Sequence, residues 1–266
     1  MEAATIKKLI APIRKKMPRY GTEKLHLDIK DDLVKENIKM GRDSFLKFAR
    51  HHYLLVPKTR RCFITTDSRH FYYKSPNRIK DLIPTYAEQV FVSDITYIQL
   101  QDKYAYLALV TDLYSKKVMG YKLDDNMKVG LVKDALQMAV KNREHKHENI
   151  IHHSDRGIQY CCPDYSDFAI SKGMILSTTE KYDPYENAVA ERINGILKYE
   201  FGLIKTIPSI TVANKMLKEA VDIYNNERRH CSLEMQTPGF AHSHQTHQYK
   251  SYKKKKKLTE GQQKEC

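Results

Sequence analysis

The sequence predicts an α/β fold: a mixed five-stranded sheet with helices on its faces, behind a small helical domain. Three observations carry this. The first 55 residues place apolar side chains at helical spacing. The period shifts to two near residue 88 and holds through three closely spaced segments. Beyond residue 126, helical and strand patterns alternate, giving the order β-β-β-α-β-α-β-α-α.

The elements follow in order. "IKKLIAPIRKK" sets Ile6, Leu9, Ile10 and Ile13 on one helical face, with Pro12 as an expected interruption. "TEKLHLDIKDDL" follows Gly21, and "GRDSFLKFARHHYL" starts at Gly41. The last carries Arg42, Lys47 and Arg50 beside Phe45, Phe48 and Leu54. Three short helices with a basic third suit a helix-turn-helix module that binds DNA, and equally an ordinary helical bundle. Residues 58–84 lose periodicity, mix basic and aromatic side chains, and read as a linker lying along DNA. "EQVFVSDITYIQL", "YAYLALVTDLYS" and "KKVMGYKL" are strands whose short connections predict antiparallel hairpins. "NMKVGLVKDALQMAVKN" is a helix and "NIIHHSD" a fourth strand. "PDYSDFAISKG" is a helix ending at Gly173, and "MILST" a fifth strand. "DPYENAVAERINGILKYEF" is a helix expected to start at Asp183 and Pro184, with Glu186 completing a capping box. "SITVANKMLKEAVDIYNNE" is another, capped by Ser209. The spacing divides the chain into a helical domain (1–57), a linker (58–84), a catalytic core (85–245) and a basic tail (246–266).

Composition narrows the function. The 266 residues carry 46 Lys and Arg against 32 Asp and Glu, a net charge of +14. Such an excess favours a polyanionic partner, because neutralised phosphates release counterions. The ends hold most of it, including the run Lys253–Lys257, which reads as a tail adding nonspecific phosphate affinity. No apolar run approaches the roughly 20 residues that span a bilayer. The start of the chain lacks a secretory pattern, so a cytoplasmic, nucleoid-associated protein without membrane contact is expected. Five cysteines without a C-x-x-C pair read as reduced thiols. "HSHQTH", His242–His247, reads as an exposed polar segment in preference to a metal site.

Three acids stand out. Asp94 interrupts a strand that is apolar on both faces, where a carboxylate is costly unless paired or metal-bound. Asp155 ends the fourth strand, with Gly157 two residues on to turn the chain. A turn-forming Asp is an equal reading there. Glu191 lies inside its helix, beyond any capping role. At 100° per residue Lys198 returns to within about 20° of Glu191, and Asn187 and Asn194 flank the same face. Oxygen donors of this kind suit Mg2+ or Mn2+, and two such ions about 3.5–4 Å apart serve phosphodiester chemistry.

"SDITYI", "HSDRGIQY" and "NAVAERINGILKYE" together resemble the acidic triad of retroviral-type integrases and insertion-sequence transposases, including the 35 residues between Asp155 and Glu191. The chain resembles most the second-frame transposase of the IS-three family. "PRYGTEKL" is similar to the helix-turn-helix segment of these proteins, and "YNNERRHCSLEMQTPGF" to their terminal signature. The resemblance implies a ribonuclease-H-like core. It implies that Asp94, Asp155 and Glu191 are catalytic and hold two divalent ions, with Lys198 as the family's basic residue. It implies cleavage and strand transfer at the ends of a mobile element, by an oligomer on double-stranded DNA. Phe91 stands where the family commonly has Trp, and no zinc domain of the His-His-Cys-Cys kind is present. A first-frame protein of the same element, joined by frameshift fusion, is therefore an expected partner. The rival expectations are a DNA-binding protein that keeps the fold without transposing, and a ribonuclease-H-like nuclease.

Overall fold

The computed structural model describes residues 2–57, 70–145, 147–180 and 187–249. Three helices open it: α1 (Glu2–Lys16), α2 (Thr22–Lys35) and α3 (Arg42–His51). Helix α1 runs straight through Pro12. Its seam explains why: Ile6 and Ile10 are buried, with Leu9 and Ile13 packed beside them, so burial outweighs the one missing backbone hydrogen bond.

Strands β1 (Val90–Gln99), β2 (Tyr104–Asp112) and β3 (Val118–Asp124) form the predicted antiparallel meander. Helix α4 (Val129–Lys141) leads to β4 (Ile150–Ser154), which joins β1 in parallel. A four-residue helix α5 (Ile158–Cys161), absent from the sequence reading, precedes α6 (Pro163–Ser171). Gly173 follows α6 at φ +77°, the left-handed position that ends a helix without a Cβ penalty. Strand β5 (Met174–Thr178) completes the order β3-β2-β1-β4-β5. Helices α7 (Ala188–Glu200), α8 (Ile210–Asn226) and α9 (Pro238–His244) close the described chain. Ser209 caps α8 as predicted, accepting from Val212 N at 3.3 Å. Helix α7 begins at Ala188 with Asn187 before it, and the expected start at Asp183 and Glu186 lies outside the described residues, as does the lysine run.

The two-residue period of β1 divides the core. Phe91 and Ile95 meet α4 and α6 in one apolar cluster. Val90, Val92 and Ile98 meet α7 and α8 in the other, which continues into Leu25, Ile29 and Phe45 of the first helices. Each large side chain buried in these layers contributes about 1.5–3 kcal/mol. Strand β3 crosses α4 so closely that a Cβ on Gly120 would lie 2.1 Å from Ala135 O. Polar ties fix the helical domain to the core: Asp28 accepts from Arg229 Nε at 2.5 Å, and Lys16 pairs with Glu227 at 2.6 Å.

Both rims of the sheet are met by other parts of the chain. On β3, the Asn225 amide accepts from Val118 N at 2.9 Å and donates to Val118 O at 3.0 Å, standing in for a neighbouring strand. Beyond β5 runs the segment 70–82. Thr178 Oγ1 donates to Ser75 O at 2.6 Å, and Arg78 N donates to Ser177 Oγ at 2.9 Å.

Candidate active site

Ser93 of β1 lies opposite Ser154 of β4. One residue on, the parallel register sets Asp94 beside Asp155, on chains about 4.8 Å apart. Asp94 shares the β1 face of Val92 and Ile98, so it looks toward α7. There Asn194 donates to it, Nδ2 to Oδ2 at 2.7 Å. Asp155 leaves the end of β4, and its Oδ1 accepts from Gly157 N at 3.0 Å. The turn-forming role and the place beside Asp94 coexist. Gly157 itself sits at φ −61°, ψ 141°, so the turn needs no left-handed backbone.

Helix α7 brings the remaining residues to β1. Asn187 Nδ2 donates to Ser93 O at 3.1 Å, and Lys198 Nζ to Thr96 Oγ1 at 3.2 Å. The face predicted from the helical wheel therefore lies along the strand that carries Asp94. Asn187 and Asn194 are buried, and these amide donors go to β1.

Electrostatics tie the three acids together. Burial pushes the Asp94 carboxyl up, the charge of Asp155 pushes it further, and the Asn194 hydrogen bond only partly offsets this. Glu191 is raised by burial and then by Asp155. Burial lowers the Lys198 ammonium, against the pull of Asp94. Neither Asp94 nor Glu191 has an ion-pair partner among the described residues. The three carboxylates are electrostatic neighbours, yet their oxygens do not all fall within 4.8 Å of one another.

A tighter trio, Glu144, His145 and His242, does meet that distance. Its lone pairs are already engaged. His242 Nε2 lies 3.2 Å from Glu88 Oε1, and its Nδ1 lies 3.0 Å from Ser115 Oγ and 3.5 Å from Asp112 Oδ2. Glu144 pairs with Lys117 and accepts from Ser243 Oγ. Burial alone would lower the His242 imidazole, but its bonds to Asp112 and Glu88 win and raise it. This is an ionic clamp that fastens α9 to the core. The segment His242–His247 is thus corrected from its expected exposure: His242 and His247 are buried, and only the middle of it faces solvent. Sequence reasoning missed the clamp because its acids are remote in sequence: Glu88 lies in the turn before β1 and Asp112 ends β2.

Arg42, Lys47 and Arg50 are exposed on α3, away from buried Phe45 and Ala49. Arg42 lies 3.1 Å from Asp43 and 3.7 Å from Glu23. Of the cysteines, Cys161, Cys162 and Cys231 are free thiols, whereas Cys62 and Cys266 lie outside the described residues. No described helix is long and apolar enough to cross a membrane.

The terminal signature also acquires a physical reading. Tyr224 is buried and donates to Lys116 O at 2.9 Å. Arg228 grips Glu200 with two bonds of 2.7 and 2.8 Å. Thr237 caps α9 through Phe240 N at 3.3 Å. The first two contacts hold the end of α8 and the residues after it against the turn before β3 and the end of α7.

Known proteins share this architecture. The integrase core domain family matches residues 84–184, and a second family of the same description matches 172–238. An insertion element IS600 protein of 31 kDa from Shigella sonnei is 32% identical over 216 residues, covering 80% of this chain and 78% of its own. The transposase InsF for insertion sequence IS3A from Escherichia coli K12 is 29% identical over 228 residues, covering 84% and 76%. The intasome of simian T-cell lymphotropic virus, solved with a regulatory subunit of PP2A, aligns with a TM-score of 0.51 at 16% identity, covering 84% of this chain and 70% of its own. That likeness carries the fold, a ribonuclease-H-like sheet, and nothing finer. With the sheet order, the acids beside one another and a Shigella relative matched along most of its length, the chain belongs to the insertion-sequence transposases of the IS-three family, polynucleotidyl transferases built on an integrase core domain.

Proposed function

We propose that Asp94, Asp155 and Glu191 are the catalytic carboxylates of this DDE transposase and that they hold two divalent cations, Mg2+ or Mn2+. One observation supports the reading above others: Asp155 at the end of β4 pushes up the pKa of both Asp94 on β1 and Glu191 on α7, and Asp94 and Glu191 form no salt bridge among the described residues. The donor set fits. Carboxylate oxygens suit hard cations, and the buried amide oxygens of Asn187 and Asn194 lack hydrogen-bond partners among the described residues. Divalent cations bound there supply charge for both the attacking and the leaving oxygen of a phosphodiester.

The chain's own residues position the reactants. Asn194 orients the Asp94 carboxylate, and Asn187 fixes β1 at Ser93. Lys198, one residue pair along β1, offers a cation to a DNA phosphate. Water cleaves a strand at the element end, and the freed 3′-hydroxyl attacks a second phosphodiester without covalent attachment to protein. Alignment of the reacting groups supplies much of such a rate. Arg42, Lys47 and Arg50 grip duplex phosphates on the exposed side of α3. The working form is a homo-oligomer on double-stranded DNA, with the first-frame protein of the element adding end recognition, as a frameshift fusion or in trans.

The test is strand transfer of pre-cleaved oligonucleotide ends in Mg2+ or Mn2+. Asp155→Asn is expected to reduce joining to background while leaving DNA affinity and the melting curve in place. An Asp155→Asn protein that joins strands at the wild-type rate would refute the assignment.

A further inference from the structure

Segment 70–74, His-Phe-Tyr-Tyr-Lys, belongs to no helix or strand, yet it is anchored at the candidate active site. His70 Nε2 lies 2.8 Å from the carbonyl oxygen of Arg156, the residue after Asp155. Lys74 Nζ donates back to His70 O at 3.0 Å, which closes the segment into a compact loop. Lys74, Arg156 and Asp155 all act electrostatically on Cys161, so the loop's cation and the acid share one neighbourhood. Tyr72 packs into the apolar cluster that contains Tyr160 and Tyr165. Its two neighbours do the opposite. Phe71 is 91% exposed and Tyr73 79% exposed.

An aromatic ring left almost wholly in water adds little to the fold, and here two flank one anchored ring. Phe71 keeps one side against Tyr72, ring centroids 4.6 Å apart, and the rest of its ring, like that of Tyr73, faces water. Exposed rings in the loop that carries Lys74 match what unpaired nucleotides need: a flat apolar face for the base and a cation for the phosphate. A paired duplex hides its base faces in the stack and offers the rings nothing.

We infer that Phe71 and Tyr73 form a stacking platform for unpaired bases of the DNA strand at the active site. The platform favours frayed or single-stranded ends over closed duplex, and it holds a strand after its partner has been displaced. It rests on the proposed function in one respect only, that the strand so held is the one presented to Asp155.

The probe is a duplex with a three-nucleotide unpaired 3′ tail carrying 2-aminopurine, set against the same duplex fully paired. Binding to the full chain is measured in EDTA, so that no strand is cut. Wild type is expected to quench the tail's fluorescence and to bind the tailed duplex about tenfold more tightly than the paired one. Phe71→Ala and Tyr73→Ala are each expected to lose most of that preference and the quenching, with paired-duplex affinity and melting temperature unchanged. Phe71→Tyr is expected to keep both. Alanine variants that retain quenching and preference, or that lose affinity equally for both duplexes, would overturn the inference. Strand transfer by wild type in Mg2+ is run alongside. A protein that quenches the tail but joins no strands sinks the proposed function and leaves the platform standing. One that joins strands with no tail preference does the reverse.

Discussion

Burial and the charge of Asp155 raise the Asp94 carboxyl, so the folded protein keeps a proton that the unfolded chain has released. A raised carboxyl favours folding at low pH, and that contribution is lost as pH climbs through the folded-state value. In metal-free protein, Asp94→Asn is therefore expected to melt higher than wild type at pH 8, with a narrower gap at pH 5. Mg2+ is expected to raise the wild-type melting temperature at pH 8 more than that of the variant. Calorimetry at the two pH values checks this, and a variant that melts below wild type at both would show the acids are not in conflict. These residues were legible in the sequence because a carboxylate in an apolar strand demands a reason. The amides were only half legible. A helical wheel puts Asn187 and Asn194 near Glu191, but it does not say that the face turns inward, where their donors meet β1.

Element positions followed from periodicity wherever an element was long enough to show one, and close approaches did not. Gly120 reads as an ordinary strand residue, yet a Cβ there would come within 2.1 Å of Ala135 O and 2.6 Å of Ala139 N. Both are helix backbone, so α4 would have to lift from β3. Gly120→Ala is expected to cost about 1–3 kcal/mol. That corresponds to about 2–4 °C in melting temperature per kcal/mol for a chain near this size. Gly130→Ala, in α4 with nothing within 4 Å, is the control and is expected to gain up to about 1 kcal/mol from helix propensity. Equal melting temperatures for the two variants would mean the crossing is looser than described. Helix α5 was missed because four residues are barely one turn, too few to display a period.

Across the whole molecule, the His242 clamp joins α9 to the turn before β1 and to the end of β2. Its partners lie up to 154 positions away in sequence, which is why a polar histidine stretch read as solvent-facing. Burial favours a neutral Glu88, but bonds from His242, Arg143 and the Glu144 and His145 amides hold its carboxyl at about 2. Its support is present above about pH 4.5 and lost as pH falls toward 2. The raised His242 gives support that is complete below about pH 6.5 and lost as pH rises through its folded value. His242→Ala leaves two buried acids short of a cation and is expected to cost about 3–5 kcal/mol near pH 5.5. The gap in melting temperature to wild type should shrink toward pH 9, and a pH-independent gap would argue for lost packing alone. The two rims have a consequence of another kind. An open border strand is a template on which a second chain can lay its own backbone, and a protein crowded along DNA meets many copies of itself. Here the Asn225 amide takes both backbone groups of Val118 on one border, and on the other the loop through Ser75 and Arg78 ties to the side chains of Thr178 and Ser177. A second copy reaching for either border would meet an occupied backbone at Val118 and a loop lying along the end of β5.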